Sequence, residues 1–269
     1  MGVKVLTAAT SHDLVTLDTV KDRLGLSADY EQDARLEDLI AEASSAIAEY
    51  LGRPIARQRY LETLSGNARE RLALARFPVD RDSVTLTIDD TAETDFTVED
   101  PSQGLLWREG AWPHGEGVGV YAERPEENVA VTYKAGYVLP GLIDAWANSA
   151  TLTVGRWVRP TSAVGDLLME VTTGGVAGAS EPTWPTTAGS TVTSSAAILT
   201  ARNALELPRV IQSAAWLVVH ELYTSMTRGL GVRAVESDGQ RVEYQSDANQ
   251  RGGLPVGVMR MLDGWRIAA

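Results

Sequence analysis

Cysteine is absent from the 269 residues, which excludes a disulfide framework and a thiolate metal site and leaves stability to packing or to assembly with partners. Histidine is scarce, at positions 12, 114 and 220. The stretch HELYT, 220–224, supplies half of the H-E-x-x-H zinc helix, but Thr224 stands where the second histidine would be, so a zinc protease is excluded. His220, on a helix carrying large apolar side chains, is expected to be packed and hydrogen-bonded. Of 24 basic residues only Lys4, Lys21 and Lys134 are lysines. The arginines suit planar, bidentate pairing across protein interfaces; codon bias of a GC-rich genome would give the same excess. No run approaches the ~20 apolar residues of a membrane span. The start, MGVKVLTAATSHD, lacks the basic end and apolar core of a secretion signal, which predicts synthesis as a cytosolic protein with no membrane partner. A net charge of -12 excludes a protein that holds nucleic acid by its phosphates, though not one that lets DNA pass without gripping it.

Catalytic signatures are also missing. GEGVG at 115–119 lacks the third glycine, the Lys-Ser/Thr ending and the following helix of a phosphate loop, and neither G-x-S-x-G nor S-x-x-K occurs. Asp89 and Asp90 form an adjacent carboxylate pair, but between two strands they read as exposed turn formers. The sequence therefore assigns no catalytic residue, no cofactor and no metal site, and predicts a protein that is not an enzyme.

What is present can fill cores, since 44% of the residues are hydrophobic. TLDTVKDRLGL reads as a short helix capped by Thr16 and stopped by Gly25, with Leu17, Val20 and Leu24 on one face. From Asp29 to Leu51 a second helix is expected, because Leu36, Leu39, Ile40, Ala43, Ile47, Tyr50 and Leu51 recur every three or four residues before Gly52 and Pro54. Burying that stripe contributes roughly 10 kcal/mol gross. Its other face carries Asp29, Glu31, Asp33, Glu37, Asp38, Glu42 and Glu49 against Arg35 alone, and reads either as a solvated face or as an electrostatic surface.

Between Gln58 and Tyr137 the period falls to two, in RYLETL, LALAR, SVTLTI, DFTVED, GLLWR and VAVTY, which predicts a small sheet. Helical signals resume at Pro208, with Ile211, Ala214, Ala215, Val218, Leu222 and Met226 on one face up to Gly229. RVEYQ suggests one more strand, and LPVGVMRMLDGWRI a last short helix begun by Pro255. The expected fold class is α+β, a mainly helical domain over 1–141 and 204–269 with a small sheet. Residues 142–203, poor in charge and rich in threonine and glycine, are expected to be an inserted all-β module, in which Trp184 of GASEPTWPTTAGSTV covers a small core.

Several of these segments, in this order, resemble the adaptor or head-to-tail connector proteins of tailed bacteriophages and gene transfer agents. LVTLDTVKDRLGL, IAEYLGRPI, RLALARFPVDRDSVTLTI, TDFTVED, GLLWREGAWP and VAVTYKAGY carry the resemblance before the insertion. LPRVIQSAAWLVVHELYTS, VESDGQRVEYQ and GLPVGVMRMLDGWR carry it afterwards. The resemblance implies a homo-oligomeric ring, commonly a dodecamer, under the portal protein in the virion neck. That ring continues the DNA channel and offers a docking surface to the tail or the next neck protein. On that basis Trp265, Arg266 and Ile267 become candidates for docking on the portal, and Glu37, Asp38 and Glu42 candidates for an acidic channel lining past which DNA slides. The insert resembles small β modules of phage structural proteins, some regarded as carbohydrate-binding-like. The alternative expectation is thus a neck-borne binding protein whose Trp157 or Trp184 stacks on host-surface glycans.

Overall fold

The computed structural model describes residues 2–27, 29–113, 127–162, 165, 167–228, 234–237, 240–243 and 254–266. The chain divides into two compact units, one of residues 1–10, 54–138 and 142–206, the other of 11–53, 139–141 and 207–269.

The first unit is built of strands. β1 (Gly2–Thr7), β2 (Gln58–Leu64), β4 (Thr85–Ile88), β5 (Thr91–Glu93) and β8 (Val129–Ala135) form an antiparallel sheet in the order β1-β2-β8-β4-β5. β3 (Arg71–Ala73), β6 (Thr97–Asp100) and β7 (Leu105–Trp107) form a second sheet in the order β3-β7-β6. The period-two pattern sets which residues point inward. Tyr60 lies opposite Tyr133, Glu62 opposite Val131 and Leu64 opposite Val129, and these side chains close over Leu72, Leu86, Leu106 and Trp112 as one core. Asp89 and Asp90 turn the chain between β4 and β5 with φ of 49° and 60°, the left-handed backbone that a two-residue hairpin turn requires.

Residues 142–206 add β9 (Ile143–Ala145), β10 (Thr151–Leu152), β11 (Trp157–Arg159), β12 (Leu168–Thr173), β13 (Gly175–Val176), β14 (Thr191–Ser194) and β15 (Ala197–Arg202). Five of them pair in the order β14-β15-β12-β11-β9, and β10 pairs with β13. Their core holds Trp146, Val158, Met169, Val171, Trp184 and Leu199, with the rings of Trp146 and Trp184 edge to face at 5.3 Å. A side chain at position 175 would meet the backbone of Ala196 at 2.8 Å, so glycine is what lets these two segments approach.

The second unit holds α1 (Leu17–Leu24), α2 (Asp33–Leu51), α3 (Arg209–Arg228), the hairpin β16 (Ala234–Ser237) with β17 (Gln240–Glu243), and α4 (Val256–Leu262), which tightens into a 3-10 turn over Asp263–Trp265. Thr16 caps α1 by accepting from the Thr19 amide, and Gly25 stops it at φ 73°. α2 starts at Asp33 rather than Asp29 because the Asp29 carboxylate accepts from the Glu31 amide and closes a turn there. Leu36, Leu39, Ile40, Ala43, Ile47 and Leu51 are buried, as are Ile211, Ala214, Ala215, Val218 and Val219 of α3, which packs on α2.

Three expectations are corrected. The chain is not a mainly helical domain: strands outweigh helices among the described residues, and the helices are confined to the second unit. Residues 2–7 and 91–93 also became strands by pairing with β2 and β4, which extends the sheet beyond its own periodic runs. His220 is not packed inside but lies exposed on α3, its ring 5.5 Å from that of Trp216. Met226, placed by periodicity on the buried face, is 46% exposed, because the packing of α3 ends before its last turns.

Candidate interaction surfaces

Glu37, Asp38 and Glu42 stand on consecutive turns of α2, all exposed, on the side away from the Leu36-Leu39-Ile40-Ala43 stripe. Helical spacing produces this separation without further help. None of the three forms an ion pair among the described residues. Glu37 and Asp38 border a shallow groove shared with Ser11, Asp13, Thr16 and Ala41, so a fourth carboxylate adds to the same sign.

The segment 254–266 is anchored in its own unit. Leu254, Val258 and Leu262 are buried. Tyr50, from α2, donates to Asp263 Oδ1 at 2.5 Å, and that bond, before desolvation, pushes the phenol above its ordinary range. Trp265 is half-buried, while Arg266 is exposed with its guanidinium over the Tyr50 ring at 5.2 Å. Ile267 lies outside the described residues. The structure thus sets the guanidinium of the exposed Arg266 over Tyr50, next in sequence to the half-buried Trp265.

Trp157 and Trp184 do not come together. Trp184 lies in the core of the 142–203 segment and donates through its indole N–H to Glu181 Oε1 at 2.5 Å. Trp157 packs instead with Val138, Leu168 and Ala204, and the Arg57 guanidinium lies over its ring at 4.9 Å. Trp146, Trp157 and Trp184 are the aromatic residues of 142–203, and all three are below 9% exposed.

One cluster was not legible in the sequence. Where β12 and β15 approach β8, Glu170 accepts from Arg202 Nε at 2.8 Å and lies 3.6 Å from Lys134 Nζ. Nearby, Arg57 Nη2 lies 2.5 Å from Asp80 Oδ2, and Asn203 donates to Asp82 at 2.8 Å. Burial, with Arg57 beside it, holds the Lys134 ammonium below the usual lysine range in spite of Glu170. Burial also acts to raise the Glu170 carboxyl, but Lys134, Arg202 and Arg57 outweigh it and hold that group below the usual carboxylate range. The cluster ties 142–206 to the first sheet. It shows no nucleophile paired with a base, and among the described residues no group of three His, Asp or Glu side chains gathers as a metal site. No helix of the described residues is long and apolar enough to cross a membrane.

Compared with known proteins, the chain matches the family model "Head completion protein" over residues 13–159. No curated protein matches it. Among solved structures it is similar to a chain in the neck of an empty gene transfer agent particle, computed with C6 symmetry. That chain is 16% identical, with 100% of this chain and 97% of that one covered and a TM-score of 0.47. A chain in the neck of the native particle, computed with C12 symmetry, matches at 16% identity over the same shares with a TM-score of 0.45. A chain of the native virion of a gene transfer agent, again 16% identical with those shares covered, gives 0.35.

Proposed function

Since the chain belongs to the head completion protein family, virion proteins of the neck between head and tail, we propose that it is a structural adaptor whose copies close into a ring beneath the portal. The ring continues the DNA channel and presents a surface on which the tail or the next neck protein docks. The observation that carries this reading is the family match itself, which runs through α1 and α2 of one unit and β2 to β11 of the other. Two features support it. The exposed, unpaired carboxylates of Glu37, Asp38 and Glu42 repel phosphate, which suits a surface that DNA must pass without adhering. Trp265 and Arg266 follow one another in sequence and are of the residue types enriched where binding energy concentrates, and we assign them with Ile267 to the portal contact.

Particles provide the test. Without this chain, filled heads are expected to carry no tails; tails attached in normal number would overturn the adaptor role. With Glu37, Asp38 and Glu42 all changed to lysine, tails are expected to attach while DNA leaves more slowly, more so at low salt than in physiological buffer, where charges are screened beyond ~8 Å. Unchanged release at both salt concentrations would place α2 away from the channel.

A further inference from the structure

The five-stranded sheet has two open edges, and they differ. At one edge β1 hydrogen-bonds to β2 alone and leaves its outer row of backbone groups unpaired by any other strand of the described residues. Long edge strands with exposed apolar side chains are liabilities unless something covers them. Val5 is 47% and Leu6 42% exposed on this one. The only charged side chain on β1 is Lys4, exposed and without an ion pair among the described residues. At the other edge β5 pairs, among the described residues, only with β4, and the hairpin that carries it exposes Asp89, Asp90 and Asp95, while Glu93 is already held by Arg108 at 2.9 Å. One edge is therefore apolar with a free cation and the other is acidic.

We infer that β1 of one copy extends the sheet of the next by pairing along β5, so that the sheet runs from copy to copy around the ring. This deepens the proposed adaptor reading and rests on it. The occupant of the β1 edge is a second copy of this chain for two reasons. Opposite charges meet in a β1-to-β5 contact, whereas β5 against β5 sets Asp89, Asp90 and Asp95 against themselves and β1 against β1 opposes lysines. A contact between two different edges is also heterologous, the kind that closes into a ring when each copy is rotated by a fixed angle from the last. Strand direction adds a geometric consequence. Each neighbour in β1-β2-β8-β4-β5 is antiparallel, so with five strands β1 and β5 run the same way. Copies that keep their orientation around the ring then join these two strands in parallel.

The absence of cysteine makes this testable by crosslinking. Residues 4 and 5 point to opposite faces of β1, so one of them shares a face with Ala92 of β5 in any parallel register. Two double variants, Lys4→Cys with Ala92→Cys and Val5→Cys with Ala92→Cys, are incubated with the cognate portal and a bis-maleimide crosslinker about 10 Å long, which also reaches same-face neighbours two residues out of register. Assembly is followed by mass photometry and crosslinking by denaturing electrophoresis. A ladder from dimer upward in one double variant, absent from each single variant, is the expected result. Rings that form without a ladder in either double variant overturn the sheet contact and leave the ring standing. A crosslinked dimer from Lys4→Cys alone overturns it in favour of β1 against β1. No ring in the unmodified protein with the portal present, at any concentration, removes the adaptor reading and this contact with it. In a cysteine-free background, Lys4→Glu is expected to raise the concentration needed for assembly about tenfold while leaving the monomer's melting temperature unchanged; unchanged assembly would contradict the charge argument.

Discussion

Glu170 shows how a single residue is placed by partners far away in sequence. It lies between Lys134 and Arg202, and burial leaves those cations little water to turn to. Replacing Glu170 with glutamine is expected to cost about 2 to 3 kcal/mol at neutral pH. That is below the ~3 to 5 kcal/mol for breaking a fully buried pair, because the Lys134 side chain is still 31% exposed. Adding Lys134→Met should restore part of the loss, which a double-mutant cycle of thermal melts would measure; a fully additive cycle would contradict the coupling. The acid dependence follows from the sign. The folded-state Glu170 carboxyl is held below its unfolded value, so its contribution is present above the ordinary carboxylate range and is lost as pH falls through the lower, folded range. The gap in stability between the native chain and Glu170→Gln should therefore narrow as the melts are taken from neutral pH to strongly acid buffer. None of this was legible beforehand: Arg57, Lys134, Glu170 and Arg202 are scattered along the sequence, and β12 by itself reads as an ordinary threonine-rich strand. Glu62 makes the same point. Alternation in RYLETL sets it on the inward face with Tyr60 and Leu64, but only the fold supplies the Tyr133 hydroxyl that donates to it at 2.5 Å.

Elements that carry their own period were the readable ones. α1 shows its cap and stop, α2 its stripe, and β2, β4 and β8 their alternation. β1 and β5 were not readable, since Thr91–Glu93 has little strand propensity and is drawn into the sheet by the left-handed turn at Asp89 and Asp90. With the strands between residues 58 and 135, those two short segments put two sheets into residues 1–141, so the domain expected to be mainly helical is not. At the C-terminus, helix α4 is fixed by the buried Val258 and Leu262 and by the Tyr50 bond to Asp263. A chain ending at Asp263 keeps all three. Removing residues 264–269 is therefore expected to leave the monomer's melting temperature within a few degrees of the native value while abolishing binding to the portal. A markedly lower melting temperature with portal binding retained would mean that Trp265 and Arg266 serve only their own unit.

At the scale of the whole molecule, the chain is acidic and contains no cysteine. It presents an acidic helix face, an aromatic and cationic end, and two sheet edges of opposite character. Family membership gives these surfaces a setting in the neck; in the ring we propose there, each contact is repeated by symmetry and modest pairwise energies add. The central claim is that the portal gathers copies of this chain into such a ring. The mass of the purified protein, measured alone and after mixing with its portal in excess chain, tests that most directly. A complex heavier than the portal by a fixed integer number of chains, about twelve for a ring of the common symmetry, that does not grow with further excess is the expected result. Masses equal to the unmixed portal and the free chain at every ratio would contradict it.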